Sequence, residues 1–259
     1  MNARLSFRVG FRIIVSLFVA ASTAIIPTAA AYPYNPANPP TITGMAVFID
    51  PGHNGSNDAS ISRQVPTGRG GTKDCQTSGT STNTGYQEHT FTWDTALLVR
   101  AALNALGVQT TLSRDNDTAL GPCVDARANM ANAFHPNAIV SLHGDGGPAS
   151  GRGFHINYSA PPLNPMQAGP SVKFARIMRD QLQASGIPPA NYIGQSGLYG
   201  RSDLAGLNLS QYPSILIELG NMKNPADSTL MKSPEGRQKY AGAVVRGVTS
   251  FLATQDQAR

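Results

Sequence analysis

The sequence has few cysteines and lacks the repeats of fibrous proteins, and these absences exclude several classes of protein. Its 259 residues include only two cysteines, which allow one disulfide and exclude a small disulfide-stapled fold. The 26 glycines show no three-residue period and the 19 prolines interrupt any long helix, which excludes collagen and coiled coils. With 41% hydrophobic residues, the chain is too apolar to be disordered. Its length suits one α/β core.

A net charge near zero excludes nucleic acid as a partner. The formal charge is +5, but Arg4, Arg8 and Arg12 lie in the first dozen residues and the first acidic residue is Asp50. Without these three arginines, 17 basic residues face 15 acidic ones, a charge of +2. A nucleic-acid-binding surface needs a larger positive charge.

The first 31 residues have the pattern of an export signal. Three arginines precede the uncharged apolar residues 13–26, and alanines at 29–31 supply a cleavage site. We expect the mature chain to begin near Tyr32, in the periplasm or cell wall. An uncleaved anchor is the alternative, although the run is shorter than the ~20 residues that cross a bilayer. After removal of the signal, no segment is apolar enough to span a membrane.

Export also bears on the two cysteines, because thiols outside the cytosol tend to oxidise. We therefore predict a disulfide between Cys75 and Cys123, with two free buried thiols as the alternative. Cys75 lies in residues 54–85, which are rich in Gly, Ser, Thr and Asn. So long an irregular stretch is often a functional lid, and otherwise a disordered surface loop. We expect a flexible insert near the site; whether it restricts access to the site stays open.

After a Pro-rich leader at 32–43, residues 44–254 alternate between strand and helix patterns. The strand patterns cover residues 45–50, 108–112, 138–142, 154–158 and 213–219. The helix patterns cover residues 88–106, 122–134, 171–185 and 234–252. This alternation predicts a single α/β domain with a mainly parallel sheet and helices on both faces.

Polar residues follow three of the predicted strands. His53, His143 and Glu218 come at the ends of apolar runs, and Glu88 begins a helix. Because the carboxyl ends of parallel strands meet at one edge, these residues should converge there. Two histidines and a carboxylate form a typical catalytic zinc site, and a second carboxylate can act as general base. The wide spacings form no short motif, so structural roles for these residues remain an alternative.

The other histidines, His89, His135 and His155, are interpreted as structural or surface residues. A Ser/His/Asp triad is not favoured because the sequence has no Gly-x-Ser-x-Gly turn.

Several segments together resemble the zinc-dependent N-acetylmuramoyl-L-alanine amidases of the type 3 family. The resemblance covers about residues 45–252 and is strongest to secreted mycobacterial members that consist of a catalytic domain alone. The matching segments are VFIDPGHNG around His53, the helix start at Glu88, LSRDND around Arg114, ARANMAN around Arg127, IVSLHGD around His143 and ILIELGNMKNPAD around Glu218.

The resemblance implies a six-stranded mixed sheet and a zinc hydrolase. His53, Glu88 and His143 would bind one Zn²⁺ per chain, and Glu218 would be the catalytic residue. The bond cleaved would join the lactyl group of N-acetylmuramic acid to L-alanine. Peptidoglycan or muropeptide fragments would be the substrate, and we expect a monomer. Whether a protein partner activates the enzyme stays open.

The chain departs from the family pattern at two places. His143 is followed by Gly144 and Asp145 where members often have Ala-Asn, a change expected to affect substrate contacts rather than the metal. The 54–85 insert has no clear motif; in some relatives an extra segment at this edge blocks the site until a partner moves it. The alternative functions are a zinc peptidase or deacetylase acting on another wall amide, and a non-catalytic wall-binding protein.

Overall fold

The computed structural model describes residues 41–256, so the predicted export signal and most of the Pro-rich leader lie outside the described residues. The strands are β1 (Ala46–Pro51), β2 (Gln64–Pro66), β3 (Thr72–Asp74), β4 (Gln109–Leu112), β5 (Ala138–Asp145), β6 (His155–Ser159), β7 (Leu198–Arg201) and β8 (Ser214–Asn221). The helices are α1 (Glu88–Ala105), α2 (Val124–Phe134), α3 (Pro165–Ala168), α4 (Pro170–Ala184), α5 (Ala205–Leu209), α6 (Pro225–Lys232) and α7 (Pro234–Asp256). A short 3₁₀ helix covers Ala59–Ser62.

Six of the strands form one mixed sheet in the order β4-β1-β5-β8-β6-β7. Parallel pairing joins β4, β1, β5 and β8, while β6 runs antiparallel to β8 and parallel to β7. The predicted α/β class with a mainly parallel six-stranded sheet is confirmed. Because β1, β5 and β8 are parallel neighbours, their carboxyl ends lie side by side at one edge.

The two faces of the sheet differ in composition because alternate residues of each strand point to opposite sides. On the first face, Val47 and Ile49 belong to the main hydrophobic core with residues of α1, α4 and α7. On the second face, Phe48 and Ile139 form a small cluster with Ala131 of α2. The core that stabilises the fold therefore lies on the first face, and the second face is available for polar residues.

Residues 54–85 contain a β-hairpin formed by β2 and β3, where the sequence patterns indicated no strand. The predicted disulfide between Cys75 and Cys123 is present and joins the end of this hairpin to the start of α2. On the other side, the guanidinium of Arg69 donates to Ser159 Oγ at 3.0 Å and to Asn208 Oδ1 at 3.1 Å. The hairpin is thus attached to the domain at both ends.

The nine predicted elements all occur, with boundaries shifted by one to four residues at their ends. The sequence patterns missed the short elements β2, β3, β7, α3 and α5 and the eight-residue α6. Elements of three to five residues are too short to display a hydrophobic period. Within the described part of the chain, no helix combines the length and apolar composition needed to cross a membrane.

Candidate metal centre

The candidate site begins where β1 ends, at a strained turn. His53 has a φ of 63°, a left-handed conformation that non-glycine residues rarely adopt. The preceding Gly52 is required by close packing, because a Cβ atom there would lie 2.3 Å from the ring of His143. The turn therefore brings the His53 and His143 rings together, with centroids 4.8 Å apart and planes at 81°.

Arg127 of α2 holds this turn in place. Its guanidinium donates to the carbonyl of His53 at 2.6 Å and to Asn54 Oδ1 at 2.8 Å. It also forms an ion pair with Asp50 at 2.8 Å. Burial alone would raise the pKa of Asp50, but Arg127 and the hydroxyls of Ser113 and Ser141 outweigh it and lower the pKa to about 2. A buried, fully paired arginine thus fixes the strained backbone of His53.

A second buried arginine, Arg114, connects β1 to the start of α1. It donates to the carbonyl of Pro51 at 3.2 Å and to that of His89 at 2.8 Å. Its guanidinium also pairs with Asp117 at 2.9 Å, and Asp117 accepts from His89 at 2.8 Å. The two motifs around Arg114 and Arg127 therefore position the site rather than contribute to its chemistry.

Glu88 occupies the first turn of α1, where the helix dipole favours a negative charge. Its Oε2 accepts from the backbone N–H of Thr80 at 2.9 Å, and its Oε1 accepts from that of Gly144 at 3.1 Å. Oε1 also lies 2.9 Å from His53 Nε2 and 3.0 Å from His143 Nδ1. Burial would raise the pKa of Glu88, but the two imidazoles outweigh it and hold that pKa well below its usual range.

His53, Glu88 and His143 offer three ligand atoms that all lie within 4.8 Å of one another. His53 Nδ1 lies 2.9 Å from the carbonyl oxygen of Thr77, which can only accept, so Nδ1 carries the hydrogen. The lone pair of Nε2 then faces the carboxylate of Glu88. Two acceptors at 2.9 Å need a shared proton or a cation between them. A ligating histidine that donates its other N–H to a carbonyl is the usual arrangement at zinc. These residues fit a zinc ion.

The 54–85 segment forms one wall of this cluster. Besides the contacts of Thr77 and Thr80, Gly79 packs against it with a φ of +79°. A Cβ atom at Gly79 would lie 2.9 Å from His53 Cγ and 3.0 Å from Glu88 Oε2. The segment was expected near the site, but its individual contacts could not be predicted, because they are made by backbone atoms and by a glycine, which leave no pattern of side chains in the sequence.

Glu218 lies beside the cluster on β8, in register with His143 of β5 and His155 of β6. Its Oε2 is buried and has no hydrogen-bond partner among residues 41–256. Burial, together with the negative charges of Glu88 and Asp145, raises the pKa of Glu218 well above its usual range. The structure therefore brings all four predicted site residues to one edge of the sheet.

The remaining histidines differ in their relation to the site. His89 pairs with Asp117, and His135 lies 2.5 Å from Tyr212, away from the cluster. His155 is 2% exposed and packs between the rings of Tyr192 and Tyr199. Burial lowers the pKa of His155 to about 4, so it is neutral at pH 7. His155 is thus a buried neighbour of Glu218, not a surface residue.

Asp145, the departure from the family pattern after His143, accepts a hydrogen bond from the hydroxyl of Tyr192 at 2.7 Å. Tyr192 packs closely against Gly147 and Gly151, where a Cβ atom would lie 2.5 Å from its ring. Asp145 therefore stabilises the loop that borders the site.

Comparison with known proteins places this arrangement in a family. The family model described as N-acetylmuramoyl-L-alanine amidase matches residues 47–250, which include all four residues of the site. The chain belongs to the N-acetylmuramoyl-L-alanine amidase family. The amidase domain found here therefore accounts for nearly all of the described chain.

Individual amidases match over most of their length. The N-acetylmuramoyl-L-alanine amidase Rv3717 of Mycobacterium tuberculosis is 79% identical over 246 residues, which cover 95% of this chain and 100% of that protein. The crystal structure of the amidase Ami1 from Mycobacterium smegmatis has a TM-score of 0.83 at 72% identity, covering 83% of this chain and 100% of that one. The apo form of Ami1 from Mycobacterium abscessus has a TM-score of 0.81 at 62% identity, covering 81% and 99%.

Proposed function

We propose that this amidase uses one Zn²⁺, bound by His53, Glu88 and His143, to cleave the amide between the lactyl group of N-acetylmuramic acid and L-alanine. The donor set of two imidazoles and one carboxylate is typical of catalytic zinc sites that keep a position open for water. When bound there, zinc would act as a Lewis acid that polarises the amide carbonyl and acidifies a water.

The protein residues around this position would orient the ligands. Thr77 fixes the tautomer of His53 through its carbonyl, and the N–H groups of Thr80 and Gly144 hold the carboxylate of Glu88. Arg127 would keep the backbone of His53 in its strained conformation. Such contacts behind the ligands typically change metal affinity by about 10–100-fold when they are lost.

Glu218 would be the general base, and its unpaired carboxyl oxygen is the observation that carries this proposal. Burying a carboxyl oxygen without a partner costs free energy, which a purely structural role would not justify. In the reaction, Glu218 would accept the proton of the attacking water. As the C–N bond breaks, Glu218 would pass that proton to the amine nitrogen of L-alanine. The products are a free lactyl carboxylate and a peptide with a free amino terminus.

Export to the cell wall is proposed on two grounds. The first 31 residues have the pattern of a signal peptide, and the Cys75–Cys123 disulfide suits an oxidising compartment. Mass spectrometry of the exported protein tests this, because we expect an amino terminus near Tyr32. We also propose that the mature enzyme is a monomer, which the molar mass from light scattering tests.

The decisive test combines metal content with product identity. The purified mature chain should contain one zinc and release a peptide that begins with L-alanine from muramyl peptide fragments. A chelator should abolish the release and added zinc should restore it. Cleavage inside the peptide would indicate a peptidase, and loss of acetate a deacetylase. Binding to wall material by the zinc-loaded chain without any release would favour the wall-binding alternative.

A further inference from the structure

A cavity of about 140 Å³ lies under the second face of the sheet, next to the metal centre but separate from Glu218. Its floor is formed by apolar side chains of three adjacent strands, Phe48, Ile139 and Leu216. The helices α2 and α5 form two of its sides. The end of the hairpin, at Gln76 and Thr77, forms a third.

The cavity exists because small residues face the sheet where large ones would fill the space. Helix α2 presents Ala128 and Ala131, and α5 presents Ala205. On the first face, the equivalent layer is filled by residues such as Phe174 and Met178. The cavity is partly open to solvent, since the exposed residues Asp74 and Gly206 belong to its lining.

The polar groups in the wall are engaged with one another. Asp50 pairs with Arg127 and also accepts from Ser141 Oγ at 2.7 Å. Arg127 directs its remaining N–H groups to Pro122, Pro51 and the His53 turn. The charges of Asp50 and Arg127 therefore neutralise each other. Lys73 and Asp74 of β3 also border the cavity, and the rest of its lining is mainly apolar. Such a space favours an uncharged apolar occupant over a charged or strongly hydrated one.

We propose that this cavity is a binding site for an uncharged apolar group of about six non-hydrogen atoms, such as a benzene ring. An engineered apolar cavity of about 150 Å³ in another protein binds benzene, so the volume is sufficient for this ligand. The rings of His53 and His143 form part of the lining, so a bound ring lies beside the metal ligands. The binding depends on the cavity alone and does not rest on zinc or on amide hydrolysis.

The test is a titration of the mature chain with benzene, followed by NMR of labelled alanine and isoleucine methyl groups. We expect saturable binding with a Kd of about 1 mM or tighter, within the limit for so small a ligand. Magnetisation transfer from benzene should reach Ala128, Ala131 and Ile139, and the imidazole signals of His53 and His143 should shift. The chelator-treated chain should bind as well, which separates this result from any failure of the zinc proposal.

Two filling variants locate the site. Ala131→Leu on α2 and Ala205→Leu on α5 each fill the cavity from a different side and should weaken benzene binding at least 10-fold. Ala133→Leu, an exposed position on the same helix α2, is the matched control and should bind as the wild type does. If one filling variant fails to fold, the other variant still tests whether benzene binds in this cavity. No saturable binding, binding unchanged in a folded filling variant, or transfer to other methyl groups would overturn the proposal.

Discussion

The two faces of the central sheet serve different purposes. The first face carries mainly aliphatic residues that pack under α1, α4 and α7. The second face carries Asp50, Ser141, His143 and Glu218, and next to them a cavity. Because each strand alternates its side chains, the same eight-residue strand β5 supplies Val140 to the core and His143 to the site.

This difference between the two faces explains how the protein can contain a destabilising reactive site and remain folded. An unpaired carboxyl oxygen and a strained histidine both lower the free energy of unfolding. The first face offsets these costs, since full burial of one large aliphatic side chain contributes about 1.5–3 kcal/mol. Changes on the second face should therefore alter activity, and changes on the first face should alter stability.

The largest effect is expected from Glu218→Gln, which keeps the shape of the side chain but removes the base. We expect kcat to fall about 10²–10⁴-fold, the usual contribution of general acid–base catalysis. Zinc content should be unchanged and thermal stability should not fall, because Glu218 Oε2 makes no hydrogen bond and burial of the carboxylate lowers stability. Metal analysis, thermal unfolding and product release measure the three quantities.

The matched control is Glu235→Gln at an exposed position at the start of α7, which should keep full activity. A Glu218→Gln enzyme with near-normal turnover would refute the catalytic role and remove the functional contrast between the faces.

The hairpin should contribute both to the stability of the fold and to metal binding. Its disulfide closes a loop with a sequence separation of 48 residues. Removing both cysteines, Cys75→Ala with Cys123→Ala, should lower the free energy of unfolding by about 4 kcal/mol. Zinc affinity should fall about 10–100-fold, because the segment bearing Thr77 and Thr80 would lose its covalent attachment to α2. Urea unfolding and competitive zinc titration measure both effects.

Treatment of the wild type with a non-chelating phosphine reductant should reproduce the effects of the double cysteine variant. Zinc affinity that is unaffected in both cases would show that the hairpin does not position the metal ligands.

Matched truncations on the two faces compare their packing directly. Ile217→Ala opens a hole in the main core and should cost about 4 kcal/mol, near the upper end for such changes. Ile139→Ala, on the neighbouring strand β5 but facing the cavity, should cost about 2 kcal/mol because its surroundings are already incompletely packed. Chemical unfolding gives both values. Equal losses would contradict the difference in packing, and the activity of Ile217→Ala should be normal below its unfolding temperature.

The smallest effect concerns acid stability and Asp50. The pKa of this carboxyl is lowered from 3.8 to about 2 in the folded state. Its stabilising contribution is therefore complete above about pH 5 and is lost as the pH falls through 4 toward 2, a change of about 2 kcal/mol. In Asp50→Asn, the dependence of the unfolding free energy on pH in this range should be weaker by that amount. Urea unfolding at a series of pH values measures this dependence. If Arg127 did not stabilise the carboxylate, Asp50→Asn and the wild type would show the same pH dependence of the unfolding free energy.

Much of the fold could be predicted because long elements display a period. Helices such as α1 and α4 and the buried strands β1, β5 and β8 repeat their apolar residues with helix or strand spacing. The edge strand β7 and the hairpin strands were missed, because three or four residues without apolar alternation resemble a loop. The hairpin is held by the disulfide and by Arg69, and β7 is held by its pairing with β6.

The site could be predicted in part for a similar reason. His53, His143 and Glu218 each follow an apolar strand, and parallel strands bring such residues to one edge. The roles of Thr77, Gly79 and Thr80 could not be predicted, because they act through backbone atoms and close packing. His155, interpreted as structural or surface, is buried; its position beside Glu218 could not be predicted, because only the antiparallel pairing of β6 with β8 places it there.

The proposed zinc site of His53, Glu88 and His143 lies at the carboxyl edge of the sheet. It is tested most directly by zinc stoichiometry and affinity of the purified mature chain and of three single variants, His53→Ala, Glu88→Ala and His143→Ala. His135→Ala, away from the cluster, is the control. We predict one zinc per chain in the wild type and in the control, and loss of zinc in all three ligand variants. Stoichiometric zinc with unchanged affinity in a folded ligand variant would contradict the account.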